Sequence, residues 1–370
     1  KFRDQFITDV IQGGAGTSMN MNMNEVIANR ANEILGGELG KYDRCHPNDH
    51  VNYGQSTNDV VPTAGKLTVQ LLIKDLLTDL QYLYDTLQAK GNEFDHVIKM
   101  GRTHLQDAVP IRLGQEFRAF SQPVLRDIKR ISAAVEELTY VNMGATAVGT
   151  GINADVEYVK NVVRILSEVT GFEFKQSPDL VDGTRNLDSF VWLSSALKTC
   201  AVNLSKTAND IRLMASGPKA GLAEILLPQQ QPGSSIMPGK VNPVIPEVLN
   251  QVCFQIFGND ITITKAAEAG QLELNVFEPV LFFNLFQSIE ILKNGIITFI
   301  ENCLKGITAQ EENCKYWVDR SVGIITALNP HIGYKNAAEI AKESIKTGVP
   351  VAQIVLQRGL LSKEDLDVIL

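Results

Sequence analysis

LLIKDLLTDLQYLYDTL, residues 71–87, carries the pattern that decides the fold. Its leucines follow one another at intervals of three or four residues, at Leu72, Leu76, Leu80, Leu83 and Leu87. Side chains at these intervals lie on one face of an α-helix. The stretch therefore predicts a long helix whose apolar face is buried.

The same interval recurs in four further runs along the chain. Their apolar positions span residues 117–138, 193–211, 243–256 and 285–303. Each of the five runs extends over roughly 25–30 residues, or about 40–45 Å at about 1.5 Å per residue. Helices of this length bury an apolar stripe only by packing along one another. We therefore predict an all-α fold built on a bundle of five long helices, with any β-sheet minor. The width of some stripes indicates further burial against other subunits.

The two ends of the chain differ in character from the long runs. Residues 1–56 predict short helices and loops, residues 57–307 the central long-helix domain, and residues 308–370 a small helical domain. Turns are expected in the last domain at Asn329-Pro330, at 348–350 and at Arg358-Gly359, and Ser362 has the sequence of a helix N-cap.

Composition excludes several classes of function. The 370 residues are 44% hydrophobic and 21% charged, with a net charge of −8 and no long run of lysine or arginine. This balance argues against nucleic acid or an anionic membrane as a partner. With no uninterrupted apolar run of 18 residues, no transmembrane span is expected, and no signal peptide is recognised. Five scattered cysteines are typical of reduced thiols, so we predict a cytoplasmic location.

Four polar segments stand out against this helical background. Each lies ahead of a helical run and is rich in glycine, hydroxyl or amide side chains: GGAGTSMNMNMNE (13–25), QSTND (55–59), GRTHLQDAVP (101–110) and GSSIMPGKVNP (233–243). In the last, Asn242 is the expected N-cap and Pro243 the first helical residue. Free backbone N–H groups and the positive end of the helix dipole suit an anion at such positions. The alternative is that these residues only cap helices and form turns.

Other kinds of site fit less well. GSSIMPGKVNP departs from the phosphate loop, because five residues separate its glycines and Val241 follows the lysine. A glycine at each end instead indicates a loop that moves and closes over a ligand. His46 and His50, four residues apart, resemble half a metal site, but Pro47 makes a helix there unlikely. The sequence predicts no metal and no cofactor.

Taken together and in this order, the four segments and NQVCFQIFGND (250–260) resemble the signatures of the fumarase/aspartase superfamily. GTSMNMN and STND are similar to its ammonia-lyase branch rather than to its fumarase branch, and Glu278 stands where fumarases tend to carry lysine. The resemblance implies a homotetramer with a twenty-helix core, whose active sites each draw segments from three subunits. It also implies reversible elimination of ammonia from L-aspartate to give fumarate, through abstraction of the C3 proton and an aci-carboxylate intermediate.

The resemblance further implies roles for particular residues. Ser234 would be the general base, and Glu247 would pair with His104 and set its charge. The β-carboxylate of the substrate would be bound by Thr17, Ser56, Thr57 and Ser235. The α-carboxylate would be bound by Thr103, Lys240 and Asn242. Asn58 and His104 would lie near the leaving amine. Gly54 departs from relatives that carry serine, which predicts a looser loop before Ser56.

Two alternatives stay open on the sequence. Water instead of ammonia could leave, as in a fumarase that interconverts malate and fumarate. A non-catalytic protein could keep the helix bundle without the chemistry, although the intact set Ser234, His104, Lys240 and Glu247 argues against it.

Overall fold

The computed structural model describes residues 2–233 and 236–369. Its helices are α1 (Thr17–Ile34), α2 (Thr57–Glu93), α3 (Leu113–Glu137), α4 (Val156–Thr170), α5 (Leu180–Arg185), α6 (Asp188–Met214), α7 (Val244–Glu268), α8 (Glu278–Asn302), α9 (Glu311–Arg320), α10 (Ile325–Ile332), α11 (Tyr334–Thr347), α12 (Val351–Gln357) and α13 (Lys363–Ile369). Its strands are β1 (Ile98–Thr103), β2 (Gln106–Arg112), β3 (Tyr140–Val141), β4 (Lys175–Gln176), β5 (Ile225–Leu226) and β6 (Thr308–Ala309). The strands pair as β1 with β2, β3 with β4 and β5 with β6.

Five helices are much longer than the rest, which confirms the predicted all-α, long-helix class. They are α2, α3, α6, α7 and α8, with 37, 25, 27, 25 and 25 residues. The stripe in α2 is shifted slightly from its predicted position, because Ile73 is buried while Leu72 is half-buried.

The chain forms two compact units, each assembled from three stretches. Unit 1 comprises Lys1–Leu80, Arg126–Leu204 and Gln251–Gly295, and unit 2 comprises Gln81–Leu125, Ser205–Asn250 and Ile296–Leu370. The unit boundaries lie within the five long helices. The division into domains at residues 56 and 307 stays a prediction.

Unit 1 combines an apolar helix core with a few buried polar links. Leu76, Leu193 and Leu285 are fully buried. Asp260 of α7 accepts hydrogen bonds from Ser194 Oγ at 2.8 Å and Lys198 Nζ at 2.6 Å, both on α6. Hydrogen-bonded polar groups of this kind cost little to bury and fix how the helices align.

The carboxyl of Glu278 in unit 1 is also buried, and neighbouring groups offset the free-energy cost of its burial less well. Glu278, the first residue of α8, is 2% exposed, and burial raises the pKa of its carboxyl to about 8 against the attraction of Lys66. Burial also lowers the pKa of Lys66 to about 8, and its ammonium donates to Tyr140 O at 2.6 Å. Neither group is fully charged at neutral pH in the folded chain.

Glu278 gives the stability a predictable pH dependence. Between pH 4.5, the ordinary pKa, and about 8, the unfolded chain has released this proton while the folded chain keeps it. The free energy of unfolding contributed by Glu278 therefore falls as pH rises through this window. Relative to Glu278→Gln, the wild type should lose about 2–4 kcal/mol between pH 5 and 8, measured by urea unfolding at fixed protein concentration. Glu290→Gln, an exposed change on the same helix, is the control, and parallel curves for Glu278→Gln and wild type would contradict the prediction.

Unit 2 contains the β1–β2 hairpin and the short helices α9 to α13. Met100, Leu328, Ile340 and Val355 belong to one buried cluster. Ser362 caps α13 as predicted, because its Oγ accepts the Asp365 N–H at 3.0 Å and donates to that carboxylate at 2.8 Å.

The turn predicted at Asn329-Pro330 is wrong. Both residues lie inside α10, which ends at Gly333 with a φ of +77°. Burial of Leu328 and Ile332 on one side of α10 outweighs the hydrogen bond that the proline removes. The turns at Gly348 and at Arg358-Gly359 occur where they were predicted.

One segment, Glu278–Gly306, is long and apolar enough by length and composition to cross a membrane. The core helix of a soluble protein passes the same test. Within α8 of this segment, Leu281, Leu292 and Ile296 are fully buried in the chain. Burial inside the chain thus accounts for part of the apolar length of this segment.

Candidate active site

Thr17 is the first residue of α1 and follows a glycine-rich turn. The helix thus begins inside the segment 13–25, which was predicted to lie ahead of the helical run. Gly14, Ala15 and Gly16 all have positive φ, at 73°, 55° and 85°. The Thr17 hydroxyl donates to Gly14 O at 2.6 Å. The Thr17 hydroxyl must therefore break this hydrogen bond before it can donate to a ligand.

Ser56 and Thr57 form the start of α2, as predicted. Ser56 Oγ accepts the Asn58 N–H at 3.2 Å, and Thr57 Oγ1 accepts from Asn20 Nδ2 at 3.2 Å. A hydroxyl that accepts a hydrogen bond keeps its own proton for donation. Because Asn20 lies one turn after Thr17 on α1, the two polar segments of unit 1 lie side by side.

Asn58 is oriented by the loop that follows β3. Its Nδ2 donates to Ala147 O at 2.7 Å, and its backbone carbonyl accepts from Asn142 Nδ2 at 3.0 Å. The side-chain nitrogen is engaged in this way, and the side-chain oxygen is the acceptor of the same amide. That oxygen suits the N–H groups of an amine.

Asp59 is a contributor that the sequence analysis did not single out. It is fully buried, and its carboxylate accepts backbone N–H groups of Ser56 at 3.0 Å, Thr146 at 2.9 Å and Gly144 at 3.3 Å. Burial raises the pKa of Asp59, against the lowering effect of these hydrogen bonds. Asp59 therefore fixes the backbone of Ser56 against the loop that orients Asn58. Its place in QSTND was a signal, but its partners lie about 85 residues away.

Gly54 has a φ of +69°, a conformation that glycine adopts without strain. A Cβ at this position would lie 3.8 Å from the Tyr158 ring, which is an ordinary contact. Backbone conformation rather than space therefore favours glycine here. The predicted looseness of the loop before Ser56 stays a prediction.

Thr103 and His104 do not lie at a helix start, which corrects the prediction for residues 101–110. They end β1 and open the turn of an antiparallel hairpin, in which Thr103 pairs with Gln106. The register shifts between Met100 and Arg102. This bulge hides the alternation that would have predicted strands from the sequence.

The hairpin turn is strained at both of its central residues. His104 and Leu105 have φ of 56° and 57°, although such two-residue turns favour Asn-Gly. Non-glycine residues in sparsely populated backbone regions cost about 1–3 kcal/mol each and cluster at functional sites. Strain at His104 therefore supports its place in a site. Both side chains are exposed.

The described residues of the fourth segment, Gly233 and 236–243, precede α7. A Cβ at Gly233 would lie 2.4 Å from Lys240 O, and Gly239 has a φ of +83°. Lys240 N–H donates to Met237 O at 3.1 Å. The close approach at Gly233 and the positive φ at Gly239 each favour glycine without any movement of the loop, which was the predicted reason for the two glycines.

Two predicted site residues of this loop, Ser234 and Ser235, lie outside the described residues. Lys240 is exposed and Asn242 is half-buried. The predicted helix start is one residue too early: α7 begins at Val244, because the carbonyl of Pro243 accepts the first helical hydrogen bond, from Glu247 N.

Glu247 lies in the first turn of α7. Its Oε1 is 3.7 Å from Arg212 Nη2, and both groups are about 40% exposed. An exposed pair of this kind contributes little stability. The pairing of Glu247 with His104 stays a prediction.

His46 and His50 use one ring nitrogen each within a local turn. His46 Nδ1 accepts the Asp49 N–H at 3.2 Å, and His50 Nδ1 accepts the His46 N–H at 2.9 Å. Pro47–Val51 forms one π-helical turn, which corrects the expectation that no helix occurs there. Among residues 2–233 and 236–369, no group of three or more His, Cys, Asp or Glu side chains is arranged to hold a metal.

The predicted residues that the structure describes fall into two groups. Unit 1 holds Thr17, Ser56, Thr57 and Asn58, and hydrogen bonding links their segments. Unit 2 holds the second group: Thr103, His104, Lys240, Asn242 and Glu247. Both groups offer donors suited to anions, and Asn58 adds an acceptor suited to an amine.

Comparison with known proteins gives matches along nearly the whole chain. A family model described as lyase matches residues 1–258, and one described as the fumarase C C-terminus matches residues 324–370. The chain is 59% identical over 370 residues to an aspartate ammonia-lyase of Bacillus subtilis (strain 168), covering 100% of this chain and 78% of that protein. It is 53% identical over 367 residues to an aspartate ammonia-lyase of Helicobacter pylori (strain ATCC 700392 / 26695), covering 99% and 78%.

Solved structures match as well. A fumarate lyase:delta crystallin from Brucella melitensis, bound to cobalt, has a TM-score of 0.96 at 49% identity, covering 99% of this chain and 79% of that one. A recombinant class II fumarase from Schistosoma mansoni has a TM-score of 0.93 at 36% identity, covering 99% and 80%.

Proposed function

The chain belongs to the fumarase/aspartase superfamily of lyases, and we infer from this membership that it eliminates ammonia reversibly from L-aspartate to give fumarate. The observation that carries the inference is its identity, over its whole length, to aspartate ammonia-lyases of several bacteria. Identity to the fumarase structure is lower. The substrates are small molecules.

The chemical difficulty of this reaction is the C3 proton, which is too weakly acidic for an ordinary base in water. Its removal places a second negative charge on the adjacent β-carboxylate. Hydrogen-bond donors aimed at that charge supply roughly 3–4 kcal/mol each. Several such donors are therefore the main requirement for the site.

The proposed β-carboxylate donors are Thr17, Ser56, Thr57 and Ser235. In support, Ser56 and Thr57 accept hydrogen bonds within the chain and keep their own protons. They also lie at the start of α2, where backbone N–H groups and the helix dipole favour negative charge.

At the other end of the substrate, we assign different residues to the α-carboxylate and to the amine. Lys240, Asn242 and Thr103 hold the α-carboxylate. Asn58 and His104 lie at the leaving amine, and the engagement of the Asn58 amide nitrogen with Ala147 O, which fixes this side chain, supports its role. Ser234 removes the C3 proton, and its oxyanion requires a strongly electropositive loop such as Lys240 provides.

The homotetramer is the proposed state in which these segments meet, and one face of α7 supports it. Phe254, Gly258 and Ile261 lie three or four residues apart on one face, and its two large side chains, Phe254 and Ile261, are 57% and 66% exposed. Across 248–264, all described, the sole charged residue, Asp260, is buried. An uncharged helix face that exposes Phe254 and Ile261 indicates packing against other copies.

A cytoplasmic location is proposed for the same protein. Its support is the state of the thiols: no disulfide bond joins the five cysteines, all of which the structure describes, and four of them are buried. Thiols without disulfides are typical of reducing compartments.

Incubation with each of two substrates tests the proposed reaction. We expect fumarate to form from L-aspartate with a kcat/KM at least about 10²-fold above that for L-malate, because the site presents an acceptor to an ammonium group. Fumarate absorbance measures both rates. Preference for malate would favour the fumarase alternative, and no turnover of either substrate would favour a non-catalytic bundle.

A further inference from the structure

The root of the β1–β2 hairpin rests on a buried cluster of charges in unit 2. Glu224 is fully buried, and its two carboxylate oxygens lie 2.8 Å from Lys99 Nζ and 2.5 Å from Arg102 Nη1. Lys99 also donates to Glu116 at 2.8 Å and 3.0 Å. Two cations and two anions thus compensate one another.

Glu224 is itself held firmly by the backbone. Its N–H donates to Met214 O at 2.9 Å, and its carbonyl accepts the Gln310 N–H at 2.8 Å. Arg102 is the residue directly before Thr103. Glu224 therefore ties the end of β1 to the fixed body of unit 2.

Stability alone does not explain such a cluster. Buried ion pairs are often no more stabilising than apolar side chains of similar volume, and their better attested use is to specify one arrangement. Here the arrangement needs specifying, because His104 and Leu105 hold left-handed backbone conformations that their side chains disfavour. Without an anchor at its root, the turn would relax.

We propose that Glu224 is a positioning residue, which acts through Arg102 to hold the strained hairpin turn that presents Thr103 and His104 to the substrate. The inference rests on the proposed roles of these two residues. Loss of the anchor should weaken substrate binding more than it slows the chemistry, because the base lies on another loop.

Glu224→Gln tests the proposal by steady-state kinetics with L-aspartate. We expect the KM to rise about tenfold and kcat to fall less than about threefold. Adding Leu105→Gly should recover most of the lost affinity, because glycine adopts the required φ without strain. Leu105 is 72% exposed, and Leu105→Gly by itself should leave the KM near the wild-type value.

Two further variants keep the test decisive. Glu116→Gln removes a carboxylate that contacts Lys99 but not Arg102, and should change the KM less than about threefold. Arg102→Gln leaves Glu224 paired with Lys99 and should reproduce the effect and its rescue, even if Glu224→Gln fails to fold. An unchanged KM in Arg102→Gln and in folded Glu224→Gln, or a loss that Leu105→Gly does not restore, would overturn the inference. Absence of wild-type turnover would instead refute the proposed function.

Discussion

Ser234→Ala is expected to lower kcat for L-aspartate by about 10²–10⁴-fold while the KM stays within about threefold. A serine placed as general base contributes to the transition state, in which the C3 proton is in transfer, far more than to substrate binding. The variant should therefore still bind fumarate. Steady-state rates and fumarate inhibition constants provide the two readouts.

The control for this change is Met237→Ala in the same loop. Met237 is 47% exposed and has no proposed contact with substrate, so its replacement should leave kcat within about threefold. If Ser234→Ala keeps wild-type kcat, another group removes the proton, and the assignment of the base fails without affecting membership of the family. Loss of fumarate binding would instead show that Ser234 binds substrate.

The long helices were predictable because their signal is local and repeated. Each run places an apolar residue every three or four positions, and burial of Leu76, Leu193 and Leu285 follows directly from that spacing. The helix start at Thr57 was predictable for a similar reason, since hydroxyl residues mark a capped start within a few positions. The start of α1 at Thr17 was not, because its buried face carries Asn20, Asn24 and Asn32 rather than an apolar stripe.

The hairpin was missed because its signal is divided between two strands. Gly101 is required by the close approach of Val109 O, 2.6 Å from a Cβ placed there. The bulge beside it breaks the period of two, and His-Leu is not a recognisable turn sequence. Strain at His104 is therefore visible only in the structure.

The sequence did not predict the roles of Asp59 and Glu224, because the partners of these residues lie far away along the chain. Asp59 binds the backbone of Gly144 and Thr146, and Glu224 pairs with Arg102, which is 122 residues away. No local rule links such positions. For a comparable reason, the pairing of Glu247 with His104 requires knowledge of how the chains assemble.

The proposed homotetramer is the basis of the second large effect. Gly258→Leu should give a species smaller than this proposed assembly and lower the activity by more than about 10²-fold. Gly258 lies on the exposed face of α7 with Phe254 and Ile261, and a Cβ there would meet no described atom within 4 Å apart from its chain neighbours and the nearby backbone of α7 itself. A bulky side chain at this position therefore disturbs a neighbouring helix from another copy rather than its own chain.

The helix itself gives no reason for a glycine at this position. Glycine in the middle of an exposed helix costs about 1 kcal/mol relative to alanine, so leucine should strengthen α7 in the isolated chain. Circular dichroism should accordingly show helix content at or above that of the wild type. Retained helix with lost assembly would separate a contact between copies from a folding defect.

Analytical ultracentrifugation and aspartate turnover, measured on the same samples, provide the readout. Lys160→Leu, which places the same leucine side chain at an exposed position of α4, is the control and should leave both unchanged. If Gly258→Leu remains fully assembled and active, the face of α7 is not the contact between copies, and its exposed apolar side chains need another explanation. If it dissociates but keeps wild-type turnover, each chain carries a complete site, and the proposal that segments from several copies meet at the substrate is wrong.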